Sequence, residues 1–515
     1  MNSAKPAVVT TKSGKLEGSL QNGLYVFKGV PYAAPPVGDL RWMPPQPVKA
    51  WSGIRQARQF GTVAAQTWPT TGPLAAFREI EPQSEDCLFL NIWTAGLDNK
   101  KRPVMFWIHG GGFTFGSGSG VSYNSGALAA RGDIVLVTIN YRLGEFGFLR
   151  LKEATGGKIP STGNEGLMDQ MAALKWVRDN IAAFGGDPAN VTVFGESAGG
   201  MSIGCMLAMP AARGLFHKAI CESGVGSTAV SLGSAKAVGE KFLEIMGIKG
   251  SDVKALRALT TQQILDADMK LRTAMTRPGE AIRITATAPV IDGENIPDVT
   301  NKVARQGSAK DIPVIVGTNR DEWKLFGIGQ PGIAQLDETG LAQRLSAMIS
   351  SEQVLDVIDA YSKALLKRGV KPSPQELLSA IHTDGMFRMP ATELVEAQRD
   401  NKAPAYCYIF DWVSPVVGGI LGACHALEIG FVFGTYNDKF CGTGPEADKL
   451  SRCIQDAWLA FARTGDPSCE CLGKWPVYGK KRMTMILGKN SHVEEAPFED
   501  ERRTWEKIKR LATMP

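Results

Sequence analysis

Two serines in one short stretch have the residue types and spacing of an activated nucleophile. Residues 191–204 read V-T-V-F-G-E-S-A-G-G-M-S-I-G and contain the pattern G-x-S-x-G twice, centred on Ser197 and on Ser202. A serine in this pattern can attack a carbonyl carbon when a strained strand-to-helix turn exposes its hydroxyl. Only Ser197 directly follows an apolar run, so it is the predicted nucleophile, with a helix N-cap serine as the alternative. Ser202 would lie in the second helical turn, as a small packing residue.

A glycine run supplies the second half of the same chemistry. Residues 108–113 read I-H-G-G-G-F, directly after an apolar segment. Attack on an ester places negative charge on the carbonyl oxygen, and each preoriented N–H donor stabilises that charge by about 3–4 kcal/mol. Gly111 and Gly112 can supply two such donors, and Ala198, at the start of the helix after Ser197, can supply a third. The alternative is a flexible glycine turn without a catalytic role.

The base must come from a small set of histidines. The chain contains five: His109, His217, His382, His425 and His492. The first belongs to the glycine run, and the second precedes an apolar segment at 218–222. His382 and His492 stand among polar residues, for which we expect surface positions. His425 stands in G-A-C-H-A-L-E-I-G, between a loop glycine and an apolar run, and is the candidate base.

The acid that orients the base is expected between the serine and the histidine in the chain. Residues 312–322 read I-P-V-I-V-G-T-N-R-D-E, an apolar run that ends in adjacent carboxylates. The residues alone do not choose between Asp321 and Glu322.

Short apolar runs predict the strands that must position these side chains. They lie at residues 103–108, 134–139, 191–194, 312–316, 405–410 and 483–487. The segment 167–181 has helical spacing and lies between two of them, and strand–helix–strand repetition predicts a parallel sheet covered by helices on both faces. Amphipathic segments at 234–246 and 261–274 predict helices. We therefore expect one α/β catalytic unit over residues 1–515, with helical cap insertions at 227–310 and 335–400.

Composition excludes several classes of function. The net charge is +5 on 515 residues, and basic residues are scattered, so no nucleic-acid partner is expected. No stretch approaches the ~20 apolar residues of a membrane span, and the first residues do not resemble a secretion signal. We expect a cytoplasmic monomer acting on a small molecule. The nine cysteines show neither zinc spacing nor a disulfide framework, so we expect reduced thiols and a fold that relies on no disulfide.

With these motifs placed, the chain resembles the type-B carboxylesterase/lipase family, particularly its bacterial p-nitrobenzyl-esterase-like members, over almost its whole length. The resemblance rests on several long segments that occur in the same order. They are F-K-G-V-P-Y-A-A-P-P-V-G-D-L-R-W at 27–42, S-E-D-C-L-F-L-N-I-W at 84–93, N-Y-R-L-G-E-F-G-F-L at 140–149, G-N-E-G-L-M-D-Q at 163–170 and F-G-G-D-P-A-N-V-T-V-F-G-E-S-A-G-G at 184–200. The resemblance implies the α/β-hydrolase fold and the hydrolysis of carboxylic esters.

The resemblance also assigns roles to individual residues. It implies Ser197 as nucleophile, His425 as base and Glu322, rather than Asp321, as acid. It places the oxyanion donors on Gly111, Gly112 and Ala198. Glu196 is implied as a second carboxylate that stabilises the charged imidazole, with a buried salt-bridge partner as the alternative. Ser223 is implied as a buried serine near the triad, with a plain strand-end hydroxyl as the alternative.

Two departures from the family pattern limit what can be transferred. Secreted relatives join the cysteine of E-D-C-L to an upstream cysteine, whereas Cys87 has none upstream. Cholinesterases carry a tryptophan on the same loop to hold choline, and neither Trp68 nor Phe77 is clearly in register with it. Choline esters are therefore not expected as preferred substrates.

The expected reaction is acyl transfer in two steps, without a metal or organic cofactor. We expect activity to rise through one ionisation at about pH 6–7, as His425 becomes neutral. Substrates should be esters with short to medium acyl chains and hydrophobic or aromatic alcohols, in a pocket for which Leu325, Phe326 and Met386 are candidate walls. The alternatives are a lipase acting on longer-chain glycerides and a non-catalytic binding module of the same fold.

Overall fold

A long sheet runs through the part of the chain that the computed structural model describes, residues 7–69, 75, 78–79, 81–276 and 285–508. The strands are β1 Ala7–Thr11, β2 Gly14–Gln21, β3 Leu24–Pro31, β4 Ile54–Gln56, β5 Val63–Ala64, β6 Gln83–Ser84, β7 Phe89–Thr94, β8 Arg102–Ile108, β9 Val135–Ile139, β10 Gly186–Glu196, β11 Lys218–Glu222, β12 Val230–Ser231, β13 Val290–Ile291, β14 Val314–Asn319, β15 Ala405–Phe410, β16 Met483–Leu487 and β17 His492–Glu495. The main sheet has the order β1-β2-β3-β7-β9-β8-β10-β11-β14-β15-β16-β17, with β4 paired to β2.

The centre of this sheet is parallel, from β9 through β8, β10, β11, β14 and β15 to β16. Its strands are buried on both faces, which explains their continuous apolar runs. In β8, Phe106 belongs to the core on one face and its neighbour Trp107 to the core on the other. The predicted fold class, an α/β-hydrolase with a mostly parallel sheet, is confirmed.

The outer strands are antiparallel, and the apolar runs did not predict them. β1, β2, β3 and β7 pair antiparallel at one edge, and β17 closes the other edge. In β1, Ala7 and Val9 are buried whereas Val8 is exposed, so the strand has the alternating pattern of a half-buried edge rather than a continuous apolar run.

Helices cover both faces of the sheet. They are α1 Ala127–Gly132, α2 Gly144–Gly147, α3 Glu165–Asn180, α4 Ala198–Ala208, α5 Leu232–Met246, α6 Val253–Arg257, α7 Thr261–Met275, α8 Thr300–Arg305, α9 Lys324–Gly327, α10 Glu338–Leu345, α11 Val354–Lys367, α12 Pro374–Thr383, α13 Met389–Asp400, α14 Ile429–Phe433, α15 Pro445–Thr464 and α16 Glu499–Lys507. α3, α4 and α13 contribute to the core on one face, and α14 and α15 to the core on the other.

The two segments predicted as insertions, 227–310 and 335–400, contain helices that pack in apolar clusters separate from the two main cores, although α13 at the end of the second segment packs in a main core. α5 and α7 match the helices predicted at 234–246 and 261–274, and α7 begins at a capping box between Thr260 and Gln263. Phe242 and Leu271 pack in one cluster, and Tyr361 and Ile381 of the second insertion pack in another. Residues 277–284 of the first insertion lie outside the described residues. β12 and β13 pair as a small separate sheet within it.

The cysteines depart from expectation at one pair. Cys453, on α15, forms a disulfide with Cys471, and their Cα atoms are 5.3 Å apart. The expectation of a fold without a disulfide is therefore wrong, because the turn after α15 returns Cys471 to that helix, a long-range contact that cysteine spacing does not reveal. The other seven cysteines are free, including the buried Cys87.

None of the helices in the described ranges is long and apolar enough to cross a membrane.

Candidate active site

Ser197 lies in a strained turn between β10 and α4. Its φ is 53° and its ψ is −121°, in a region that non-glycine residues seldom occupy. The turn is possible because glycines flank it: a Cβ on Gly195 would lie 2.6 Å from the Ile108 carbonyl oxygen, and one on Gly199 would lie closer still. The Ser197 N–H donates to the Glu222 carbonyl at 2.9 Å. The backbone therefore holds the serine rigidly while its side chain stays half-exposed.

Ser202, the second serine of the repeated pattern, has a different environment. It is fully buried in α4, and its hydroxyl accepts a hydrogen bond from Gln170 Nε2 at 3.0 Å. This position agrees with the packing role predicted for it.

The glycine run approaches the serine turn directly. A Cβ on Gly110 would lie 2.8 Å from the Glu196 carbonyl oxygen and 3.1 Å from Ser197 Cβ. Gly111 and Gly112 have φ values of 101° and 61°, which glycine adopts without strain. Among the described residues, no acceptor is bonded to the N–H groups of Gly111, Gly112 or Ala198. Three backbone donors are thus free beside the serine.

The imidazole of His425 contacts one carboxylate of the D-E pair. His425 Nδ1 lies 2.6 Å from Glu322 Oε2, and Glu322 Oε1 accepts the Asn319 N–H at 2.7 Å. Asp321 instead accepts the Ala423 N–H at 2.9 Å and forms an ion pair with Arg320. Of the two carboxylates that the residues alone left open, Glu322 is the one that contacts His425.

The opposite nitrogen of His425 faces a second carboxylate. Nε2 lies 3.0 Å from Oε1 of Glu196, the residue before the serine. Ser197 Oγ makes no hydrogen bond to any described residue, and Nε2 instead lies within ion-pair distance of Glu196 Oε1.

These contacts change the acidity of His425. Burial lowers the pKa of His425, but the neighbouring charges of Glu196 and Glu322 outweigh it and raise the pKa to about 9. The expected ionisation at about pH 6–7 assumed an ordinary imidazole; sequence spacing did not reveal that both nitrogens face carboxylates, which favour the charged form and move the expected ionisation upward.

Two further buried glutamates, Glu428 and Glu222, interact electrostatically with the carboxylates around His425 and were missed by the sequence analysis. Glu428 accepts hydrogen bonds from Ser223 Oγ at 3.2 Å and from Asn319 Nδ2 at 2.5 Å. Glu222 accepts one from Trp458 Nε1 at 2.7 Å. Burial and a neighbouring carboxylate raise the pKa of Glu428 to about 7 and that of Glu222 to about 8. Ser223 thus contacts Glu428, which stands three residues after His425 in a turn before α14.

The remaining histidines lie elsewhere. His109 stacks on Tyr141 with ring centroids 4.4 Å apart, and burial lowers the pKa of His109 to about 4. His217 accepts the Val191 N–H, and His492 is exposed, as expected. His382 is half-buried rather than fully at the surface as expected: its ring stacks on Trp323 at 4.3 Å, and burial lowers its pKa to about 4.

Aromatic rings form the surroundings of His425. Phe326 and Phe387 lie 4.9 and 5.0 Å from the imidazole, centroid to centroid. Phe326 was an expected wall residue, whereas Phe387 was not. Met386 is partly buried against the core on the face that α4 covers. Leu325 is wrong as a wall residue, because it is packed in the core on the opposite face.

The Trp68 ring lies 4.5 Å from that of Phe115, which follows the glycine run. Phe77, the other aromatic considered for the choline position, lies outside the described residues. Within the described ranges, no group of three or more His, Cys, Asp or Glu side chains could hold a metal ion.

Comparison with known proteins agrees with this geometry. The model of the carboxylesterase family matches residues 5–505. The chain is 39% identical to the para-nitrobenzyl esterase of Bacillus subtilis (strain 168), covering 96% of this chain and 98% of that protein. It is 35% identical to the phenmedipham hydrolase of Pseudarthrobacter oxydans, covering 92% of each.

Solved structures extend the agreement to three dimensions. A carboxylesterase from Geobacillus stearothermophilus is similar with a TM-score of 0.85 and 39% identity, covering 97% of this chain and 99% of that one. A PNB esterase structure is similar with a TM-score of 0.86 and 38% identity, covering 96% and 99%. The chain therefore belongs to the carboxylesterase family and is a carboxylic-ester hydrolase of the α/β-hydrolase fold.

Proposed function

We propose that Ser197, His425 and Glu322 form the catalytic triad of this carboxylesterase, with the N–H groups of Gly111, Gly112 and Ala198 as its oxyanion hole. The observation that carries the proposal is the position of His425. Its imidazole is bonded to Glu322 on one side and, on the other, reaches the residue next to a strained, half-exposed serine. A base oriented by a buried carboxylate beside a strained serine is what nucleophilic acyl transfer requires.

The reaction begins when an ester carbonyl oxygen replaces solvent at the three free N–H groups. His425 Nε2 turns from Glu196 towards Ser197 Oγ and accepts its proton as the oxygen attacks, an effect worth about 10²–10⁴-fold. Glu322 keeps the proton on Nδ1 and stabilises the imidazolium. The imidazolium then protonates the departing alcohol, and water hydrolyses the acyl-enzyme by the same route.

Glu196 acts in this scheme through His425 rather than on the substrate. Its carboxylate lies 3.0 Å from Nε2, so it stabilises the imidazolium that each proton transfer creates. Ser223 contributes indirectly. Its hydroxyl donates to Glu428, and the charge of Glu428 also favours protonated His425.

Aromatic rings around the base support substrates with hydrophobic or aromatic alcohols and short to medium acyl chains. Phe326 and Phe387 offer flat apolar surface within contact range of His425, and each buried CH₂ adds about 0.8 kcal/mol until the pocket is full. The para-nitrobenzyl esterase among the relatives is named for an ester with an aromatic alcohol. Hydrolysis of long-chain glycerides with activation at an oil–water interface would favour a lipase instead.

The remaining parts of the proposal concern the whole chain. We propose one catalytic unit, because Phe387 of the 335–400 insertion packs on His425, so this insertion roofs the site. Seven free cysteines support a reducing, cytoplasmic environment, whereas the Cys453–Cys471 disulfide argues against it. The net charge of +5, with basic residues scattered along the chain, supports a small-molecule substrate without a nucleic-acid partner. We also propose that the enzyme is a monomer.

Labelling with an organophosphate, followed by peptide mass spectrometry, tests the nucleophile. We expect the adduct on Ser197 and a loss of more than about 10³-fold in turnover for Ser197→Ala. Ser202→Ala is the matched control, because it removes the other serine of the repeated pattern. An adduct on Ser202, or full activity of Ser197→Ala, would contradict the assignment.

A further inference from the structure

A π-helical turn interrupts the helix of the second insertion that leads into α13. It spans Asp384–Arg388, between α12 and α13. Pro390 follows it and lacks the N–H that a regular α-helix would bond to the carbonyl four residues earlier. Gly385 lets α16 come close to the turn, because a Cβ on it would lie 2.8 Å from the Trp505 ring. Wide turns of this kind are frequent at functional sites.

Phe387, the fourth residue of the turn, is buried against the imidazole of His425. The Phe387 and Phe326 ring centroids lie 5.0 and 4.9 Å from that of the imidazole. The two phenyl rings are 6.0 Å apart and nearly parallel. A triangle with these sides has an acute angle at the imidazole, so both rings lie on the same side of it. They form an apolar support that limits how the imidazole can tilt.

Buried hydrogen bonds hold the turn that carries Phe387. Asp384, at the start of the turn, is fully buried and accepts a hydrogen bond from the Tyr361 hydroxyl of α11 at 2.5 Å. Its other oxygen pairs with Arg388, at the end of the turn. The Tyr361 hydroxyl in turn accepts the Nε1–H of Trp505 on α16 at 2.5 Å. The two ends of the turn are therefore bonded to each other and, through Tyr361, to two further helices.

The arrangement of these bonds favours a role in orientation over a role in stability. A buried ion pair such as that of Asp384 with Arg388 adds little stability compared with apolar packing. A buried polar group with a partner on each oxygen, in contrast, fixes one arrangement of the chain around it. What is fixed here is the turn whose phenyl ring meets the imidazole.

We propose that Tyr361 and Asp384 are positioning residues: they hold the π-helical turn so that Phe387 keeps the imidazole of His425 aligned for proton transfer. This inference rests on the proposed role of His425 as the base. Both residues act through Phe387 rather than on the substrate. Misalignment should cost most where the imidazolium must deliver its proton accurately, to the oxygen of a departing alcohol.

Two acetate esters separate this role from a general effect on folding. Both form the same acetyl-enzyme, so a difference between them arises while the alcohol leaves. Tyr361→Phe removes the hydroxyl that bonds to Asp384 and keeps the ring. It should lower kcat/KM for ethyl acetate on the order of 10-fold, because ethoxide needs a proton to leave. For p-nitrophenyl acetate, whose phenolate leaves without a proton, the loss should stay below about 3-fold. Burst titration counts the active sites, so unfolded enzyme does not enter the comparison.

Coupling to Phe387 gives a second test. If Tyr361 acts through the phenyl ring, then in enzyme that carries Phe387→Ala, adding Tyr361→Phe should change kcat/KM for ethyl acetate by less than about 2-fold. Ser362→Ala is the matched control, because Ser362 also lies on α11 but its hydroxyl bonds to the Ile358 carbonyl of the same helix, at 2.7 Å. This variant should keep the normal ratio of the two kcat/KM values.

A second substitution reaches the same turn from its own side. Asp384→Asn preserves the shape of the side chain and removes the charge that pairs with Arg388, so it should change the ratio in the same direction. Equal losses for the two esters in Tyr361→Phe, a normal ratio in both variants, or additive losses with Phe387→Ala would each overturn the proposal. His425→Ala tests the proposed function separately. An active His425→Ala would contradict the triad, whereas an inactive one together with equal ester losses would contradict only the positioning role.

Discussion

The contact between Glu196 and His425 makes a quantitative prediction for the pH dependence of catalysis. Only neutral His425 can accept the serine proton, so activity rises as pH passes upward through its pKa, which the structure places at about 9. Glu196→Gln removes one of the charges that hold the proton on the imidazole while preserving the shape of the side chain. The pKa of His425 should fall, and activity should reach its plateau at lower pH.

The size of the change follows from the geometry. The pKa of His425 lies about 2.5 units above the usual 6.5, equivalent to roughly 3 kcal/mol in favour of the charged form. An ionised Glu196 at 3.0 Å interacts with the imidazolium by about 5 kcal/mol at an effective dielectric constant of 20, but burial raises the pKa of Glu196 itself well above its usual range. The two groups therefore share their protons as a pair, and Glu196 contributes to the displacement in its ionised form. We expect its replacement to lower the apparent pKa by at least about one unit.

The same substitution should lower the rate at high pH. Glu196 stabilises the imidazolium formed in the transition state as well as the protonated resting enzyme, so each unit of pKa lost should cost up to about 10-fold in the limiting rate. The two effects cancel at low pH. The profiles of kcat/KM should then coincide on the acid side, whereas the variant should reach a lower plateau at lower pH.

The assay is kcat/KM for p-nitrophenyl acetate from pH 5 to 10, with burst titration to count active sites. Glu222→Gln is the control, because that buried carboxyl is bonded to Trp458 rather than to His425, and it should move the apparent pKa by less than half as much. An unchanged or raised apparent pKa in Glu196→Gln would refute the reasoning.

The other predictions concern the packing serine, the disulfide, metal independence and substrate size. Ser202→Ala loses one buried hydrogen bond to Gln170, so stability should fall by about 1 kcal/mol in urea unfolding while turnover stays near normal. Reduction, or Cys471→Ser, should lower the melting temperature, because the disulfide closes a loop of 18 residues worth about 3 kcal/mol; an unchanged melting temperature would contradict this. EDTA should not change activity, and restoration of lost activity by zinc would contradict the metal-free mechanism. On p-nitrophenyl esters activity should peak between acetate and octanoate, with weak hydrolysis of triolein and no preference for choline esters; interfacial activation on triolein would contradict the pocket argument.

The parallel centre of the fold could be predicted from the sequence because its strands are buried on both faces. Runs such as 103–108 and 405–410 are apolar throughout, and they correspond closely to β8 and β15. The edge strands could not be predicted in this way. β1 buries only alternate residues, and β2 includes Lys15, Glu17 and Gln21, so neither shows an apolar run.

The candidate site, too, could be predicted from the sequence only in part. Ser197 and the glycine run follow strands directly, so local pattern places them near one another. The contacts of His425 with Glu322 and Glu196 join positions 103 and more than 200 residues apart, and only the resemblance to a family indicated them. The raised pKa of His425, the stacking of Phe387 and the Cys453–Cys471 disulfide depend on side-chain positions in space, which no spacing rule encodes.

The separate apolar clusters of the two insertions have an evolutionary consequence. Phe242 and Tyr361 pack in apolar clusters that are separate from the two cores flanking the sheet, so a substitution at either position can be absorbed without repacking the strands. Selection for a new ester can then remodel the helical insertions, while the Gly195–Gly199 turn, which lacks room for even a methyl group beside Ile108, stays fixed. Diversity of substrate and constancy of mechanism are therefore carried by different parts of the same chain.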